Sequence, residues 1–160
     1  MYGDIVKGLP VAAGSCKGVY ASHVLEHLAL DDFNKALENT KAMLHDNGIF
    51  RMVVPDLEWA ARQYIAKLEA REATANTFFL DETHLGSKTQ QHGIRQFMHS
   101  AFQTSAHKWM WDSTALTHAL ENHGFREIRT CSFGDCKDPM FSKVEDEGRF
   151  KFAVAMEARR

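Results

Sequence analysis

The chain reads as an α/β domain built on a mixed sheet whose last two strands pair antiparallel. Three observations predict this. Apolar, β-branched runs occur at 18–24, 49–54, 127–133 and 149–157. Stretches with helical spacing of apolar residues separate the first three runs, the pattern of strands joined by crossover helices. Only a polar loop, Gly134 to Gly148, separates the last two, which suits an antiparallel pair.

The first strand is expected over Gly18-Val19-Tyr20-Ala21-Ser22-His23-Val24, between turn-forming stretches, and delivers His23 to its C-terminal end. A helix follows from Asp31. Phe33, Ala36, Leu37, Thr40 and Leu44 share one face, two acids open it, and Asn47-Gly48 is its expected stop. Ile49 to Val54 is the second strand, closed by Pro55, which cannot donate to a ladder. Asp56 caps a second helix, with Leu57, Ala60, Ala61, Tyr64 and Leu68 as its stripe up to about Glu72. From Thr77 to Trp111 periodicity weakens and histidines and aromatics accumulate, predicting an insertion of short helices and loops. Asp112 caps a further helix with Leu116, Ala119 and Leu120 inward and Gly124 after its last turn. Glu127 to Phe133 is the next strand. Arg149 to Glu157 is the last, with Phe150, Phe152, Val154 and Met156 alternating in period two.

The 160 residues, 44% of them hydrophobic, support a single domain over 1–160 with one core and no linker or repeat. Nineteen basic against twenty-one acidic residues leave a net charge of −2, which excludes a strong field for nucleic acid or anionic membrane. The partner is expected to be a small molecule or another protein. No apolar run reaches the roughly 20 residues needed to span a bilayer, and the N-terminus has no signal-peptide layout, so a cytoplasmic location is the expectation. Cys16, Cys131 and Cys136 have no C-x-x-C spacing and are read as reduced thiols.

The pentapeptide His23-Val24-Leu25-Glu26-His27 carries the chemistry, and two readings of it stand side by side. As H-x-x-E-H it is the inverted zinc-peptidase signature, in which His23 and His27 share a helix face and Glu26 holds a zinc-bound water. That reading makes the protein a zinc-dependent hydrolase. It lacks a convincing third ligand, since Glu69 and Glu72 are candidates by residue type alone and His23 closes a strand; no metal ligand set is therefore assigned. His84, His92, His99 and His107 lie seven or eight residues apart without a common face, and are expected as surface or pocket histidines. Glu26-His27 could equally be an exposed helix start, its acid favoured by the helix dipole. Trp109 and Trp111 are expected in core or lid packing.

In the second reading the neighbours matter. Asp4-Ile5-Val6-Lys7-Gly8-Leu9-Pro10, then GVYASHVLEHL, a helix, NGIFRMVVPDLE, and later HKWMWDSTALTHALENHGF together resemble class I S-adenosylmethionine-dependent methyltransferases of the type 11-like branch. The resemblance runs through nearly the whole chain in order. It implies a partial Rossmann-like fold, because the strand, G-x-G-x-G turn and ribose-binding acid with which such domains begin have no counterpart here. The chain thus resembles the C-terminal part of such a domain.

From that resemblance, S-adenosylmethionine is the implied cofactor. Asp4 and Ile5 would meet its adenine, and Ser22 and His23 its methionine end. Glu26, His27 and Asp56 would face an unidentified methyl acceptor, with His107-Lys108-Trp109 near its pocket. The same Asp4 can simply cap a turn. Cofactor affinity is expected to be weak or absent without the glycine turn. The family's sheet order, 3-2-1-4-5-7-6, leaves the strand ending at His23 without its inner neighbour, so self-association through that edge is also expected. A non-catalytic oligomerising domain is the remaining alternative.

Overall fold

A computed structural model of the protein describes residues 3–85 and 106–160. Its sheet has four strands: β1 (Cys16–Ser22), β2 (Leu44–Pro55), β3 (Arg126–Thr130) and β4 (Ala153–Arg159), in the order β1-β2-β4-β3. β1 and β2 run parallel, and β4 is antiparallel to both β2 and β3. This reproduces the 4-5-7-6 half of the order implied by the resemblance, including its terminal antiparallel pair.

The parallel pair needs a crossover, supplied by α1 (Leu30–Met43). Phe33, Ala36, Leu37, Thr40 and Met43 are its buried positions, spaced as a helix face demands, and Asp31 and Asp32 lie in its first turn. The helix ends at Met43, earlier than Asn47-Gly48 predicts, and Leu44 is already the first residue of β2. Asn47, with φ 64°, and Gly48 instead form the irregularity that shifts the β1–β2 register between Cys16 and Gly18. A Cβ on Gly48 would stand 2.9 Å from the His45 carbonyl oxygen, so no side chain fits there.

Asp56 caps α2 (Leu57–Glu69), its Oδ1 accepting from the Glu58 amide at 2.8 Å. The stripe expected on this helix is only partly inward: Ala60 is buried, whereas Leu68 is half exposed. α2 packs mainly on α3 (Ala75–Thr83), through Trp59 with Phe78 and Tyr64 with Phe79, rather than flat on the sheet. The insertion expected at 77–111 thus begins as a helix, and His92 and His99 lie outside the described residues. Asp112 caps α4 (Ser113–Asn122) by accepting from the Ala115 amide at 2.8 Å, and Leu116 and Leu120 are fully buried. Among the described residues no helix is long and apolar enough to cross a membrane.

The main core lies on one sheet face, where α1 and α4 cover Phe50, Met52, Val54, Val154, Met156 and Ala158. The other face is unlike it. Arg51, wholly buried in the central strand, donates from Nε to Glu145 Oε1, from Nη1 to Glu157 Oε2 at 3.2 Å, and from Nη1 and Nη2 to the Asp135 and Ser132 carbonyls. Arg129 completes the network on Glu157 and Asp135. These bonds wrap the segment between β3 and β4 across the sheet, with Phe141 buried against Tyr20.

That wrapping corrects two expectations. β3 ends at Thr130 instead of Phe133, because the chain leaves to meet Arg51. β4 begins at Ala153, so Phe150 belongs to a 3-10 turn and Phe152, at φ 58° and largely exposed, stacks on Trp59 at 4.2 Å. The period-two pattern fails in β4 because β2 and β3 flank it and both its faces are covered, burying Val154 to Ala158 without alternation.

Removing one partner of a buried ion pair leaves the other uncompensated. Arg51→Met is expected to cost about 3–5 kcal/mol, read as a fall in the urea midpoint; a loss below about 1 kcal/mol would show that Arg129 satisfies Glu157 and the Gly134 amide satisfies Glu145 without it.

Candidate active site at the ends of the parallel strands

β1 and β2 both finish at one end of the sheet, and the residues that follow them line a common cleft of about 170 Å³. His23 enters it after β1, and Pro55 and Asp56 after β2. Trp59, Glu82, His84, His107, Met110, Lys151 and Phe152 complete the lining. Backbone bonds hold these contributors together: the Asp56 amide donates to the Phe152 carbonyl at 3.1 Å, and the Leu57 amide to the Trp111 carbonyl at 2.8 Å.

His23 does not continue β1 as expected. Its amide still donates to the Val53 carbonyl at 2.9 Å, but its φ of 52° turns the chain sharply, and Leu25–His27 follow as a 3-10 turn. His23 and His27 therefore do not share the face of one α-helix, so the geometry required by the inverted zinc-peptidase reading is absent. Glu69 and Glu72 lie exposed at the end of α2, where Glu72 pairs with Lys67. They supply no third ligand.

Glu26 is no exposed helix start either. It is 1% exposed, and neither carboxylate oxygen has a hydrogen-bond partner. Its own carbonyl accepts from the Lys108 and Trp109 amides at 2.8 and 3.2 Å, which draws His107 alongside. Glu26 Oε1 faces His23 Nδ1 at 3.5 Å and His27 Nε2 at 3.6 Å. His27 and His107 meet edge to face at 5.3 Å, and His84 lies 4.7 Å from His107 between ring centroids.

The tautomers follow from the acceptors around the rings, since a ring nitrogen facing a carbonyl must carry the proton. His23 Nε2 donates to the Arg149 carbonyl at 2.8 Å, and His27 Nδ1 to the Ala106 carbonyl at 3.4 Å. In the neutral rings, the nitrogens that face Glu26 are then lone pairs. Burial raises the Glu26 carboxyl above the usual carboxylate range. Yet a protonated Glu26 can donate to only one of the two rings. Burial, with His84 and His27 beside it, pushes the His107 imidazole down to about 4, so it is neutral near pH 7.

The remaining predicted residues are placed as follows. Asp56 lines the cleft while one of its oxygens caps α2. Ser22 ends β1 with its hydroxyl oxygen enclosed and unpartnered. Asp4 organises its own turn, Oδ1 accepting from the Val6 amide at 2.9 Å and Oδ2 lying 3.6 Å from Lys7 Nζ. Ile5 packs against the core, and its carbonyl accepts from Asn39 at 2.8 Å. Trp111 packs on Phe33 in the core with the rings tilted and their centroids 4.1 Å apart, while Trp109 is 42% exposed. Sequence reasoning missed the cleft roles of Trp59, Lys151 and Phe152. A signal existed for His107, which sits beside Trp109 and Trp111 in the resembling segment, but none for its proximity to Glu26.

Residues 6–130 match a family described as a methyltransferase domain. Among solved structures, the chain is similar to a SAM dependent methyltransferase from Archaeoglobus fulgidus, with a TM-score of 0.58, 15% identity, and coverage of 100% of this chain and 66% of that one. It is also similar to PigF with SAH, at a TM-score of 0.51 and 11% identity over 99% and 34% of the two chains. The CurJ carbon methyltransferase gives a TM-score of 0.50 and 12% identity over 98% and 33%. At such identities the likeness is one of fold, and the chain spans between about a third and two thirds of the length of these structures. None of the curated proteins matches it.

A carboxylate held against lone pairs is a local cost that an isosteric amide removes, because its N–H groups can donate where oxygen cannot. In EDTA-containing buffer at pH 8, Glu26→Gln is expected to stabilise the fold by about 1–2 kcal/mol, raising Tm by roughly 2–8 °C. A lower Tm would mean that the carboxylate is satisfied as it stands.

Proposed function

The chain belongs to the methyltransferase-domain family, and on that premise we propose that its cleft serves methyl transfer from S-adenosylmethionine to a bound acceptor. The observation that carries the reading is that the two parallel strands end in one cleft. Open α/β sheets bind ligands beyond the C-terminal ends of such strands.

The residues present fit the cofactor at several points. Ser22 ends β1 next to His23, which lines the cleft, and the two are assigned to the polar methionine end. Asp4 retains acceptor capacity beyond its own turn, because a carboxylate has about four lone-pair sites and its side chain is 49% exposed. We assign it to the adenine amino group, with Ile5 next to the ring. When bound, S-adenosylmethionine supplies a methyl group on a positively charged sulfur. What the chain contributes is position, which suffices for much of the acceleration of an in-line displacement. On the acceptor side stands Asp56, which lines the cleft and is able to take the proton an acceptor releases, while the Glu26–His27 pair stands behind His107. The acceptor is a small molecule in this reading, since the cleft is narrow and the chain carries no strong charge of either sign.

No G-x-G-x-G turn follows a strand within these 160 residues, so the cofactor lacks the backbone cradle that grips it in this fold. Calorimetric titration with S-adenosylmethionine is expected to give a Kd of roughly 100 µM or weaker, competed by S-adenosylhomocysteine and weakened further by Ser22→Ala and Asp4→Ala. Absence of binding at millimolar cofactor would overturn the reading.

We also propose that a second copy of the chain pairs along the outer edge of β1. Among the described residues that strand hydrogen-bonds to β2 alone, and an open edge is a template for another strand. Sedimentation velocity at micromolar concentration should show a dimer or larger species; a single monomeric boundary would count against it.

A further inference from the structure

We propose that Glu26, His27 and His107 form a binding site for one first-row divalent cation of the zinc class. The site differs from the H-x-x-E-H arrangement, since its third ligand comes from a segment 80 residues further along the chain and His23 is not one of the three. It does not rest on the methyl-transfer reading.

Four observations converge. One ligand atom from each of these residues lies within 4.8 Å of the other two. Glu26 is 1% exposed with both oxygens unpartnered, and among the described residues its only ion-pair neighbours are imidazoles. His27 gives one ring N–H to a backbone carbonyl, Ala106, and presents its other nitrogen to Glu26. His107 Nδ1 is buried without a partner. A second ring nitrogen anchored on a carbonyl, as in His27, is the arrangement that orients metal-bound histidines.

The Glu26 oxygens and His107 Nδ1 are thus buried without a hydrogen bond, and His27 Nε2 faces Glu26 at 3.6 Å. A dication satisfies all three at once. Two neutral imidazoles and one carboxylate are the donors of borderline first-row ions, and hexahydrated magnesium prefers oxygen. Tetrahedral coordination at about 2.0–2.2 Å sets ligand atoms roughly 3.3–3.6 Å apart. Closure from 4.8 Å therefore requires side-chain rotations of about an ångström, which the unbonded Nδ1 of His107 and oxygens of Glu26 permit. His107 also lines the cleft, so the ion would stand between the buried carboxylate and the space where a ligand binds.

The test is calorimetric titration of the chelator-treated full chain with zinc chloride, followed by cobalt(II) absorption spectroscopy. One ion per chain at micromolar affinity or tighter is expected, with a visible cobalt band of four- or five-coordinate character. Glu26→Gln, His27→Gln and His107→Gln should each weaken binding at least tenfold, while His45→Gln and His118→Gln leave it unchanged. Proton NMR of the wild-type chain guards against a misfolded variant, since zinc should shift the His27 and His107 ring resonances and spare those of His118. Undiminished, wild-type affinity in the His27 and His107 variants, displacement of zinc by millimolar magnesium, or no binding at 100 µM zinc (roughly −5.5 kcal/mol) would overturn the proposal.

Discussion

Arg51 is the residue on which the rest of the arrangement depends. It occupies the middle of β2, the most enclosed strand, and is wholly buried. A guanidinium cannot shed its charge, so its position is tenable only if carboxylates and carbonyls are brought to it. Glu157 comes from the adjacent strand, but Glu145 and the carbonyls of Ser132 and Asp135 come from the segment between β3 and β4. Phe141 packs that segment on Tyr20, and the bonds to Arg51 fix its remaining course. Its far end then delivers the Arg149 carbonyl to His23 and Phe152 to Trp59.

The site inherits this order. His23 sits at φ 52°, a region that costs a non-glycine residue about 1 kcal/mol or more. The cost is borne because the His23 amide is bonded to β2 and its ring to the Arg149 carbonyl, both fixed by the network just described. The sharp turn that follows pulls Glu26 inside and lets the Glu26 carbonyl gather the Lys108 and Trp109 amides. Strain, a buried carboxylate and several imidazoles collect within a few ångströms at the strand ends. Local energetic violations of this kind are tolerated where a ligand is to be met.

Several features were legible from residue patterns because they depend on local chemistry. The buried face of α1, the Asp56 and Asp112 caps, Gly124 after α4 and the strand cores of β1 and β2 all follow from spacing or from one side chain's hydrogen bonds. The motifs from Asp4 through Gly124 also led to the right fold family, since their order mirrors the sheet. Element ends were less legible. Met43 hands over to Leu44 without a loop, and β3 stops at Thr130, because partners distant in sequence decide where a strand is useful.

By itself, then, the chain's sequence determined an α/β layout, a parallel pair followed by an antiparallel one, and two strand ends rich in ionisable groups. Those are properties of periodicity and caps, which act over a few residues. Only the tertiary structure decided that His23 and His27 meet at Glu26 without sharing an α-helix face, that Glu26 is buried, and that His107 joins them from 80 residues away. It also decided that Phe150 and Phe152 leave the last strand, because Arg51 claims the preceding segment and Phe152 stacks on Trp59. Such outcomes depend on pairwise contacts and on where buried charge finds its partner, neither of which any local pattern encodes.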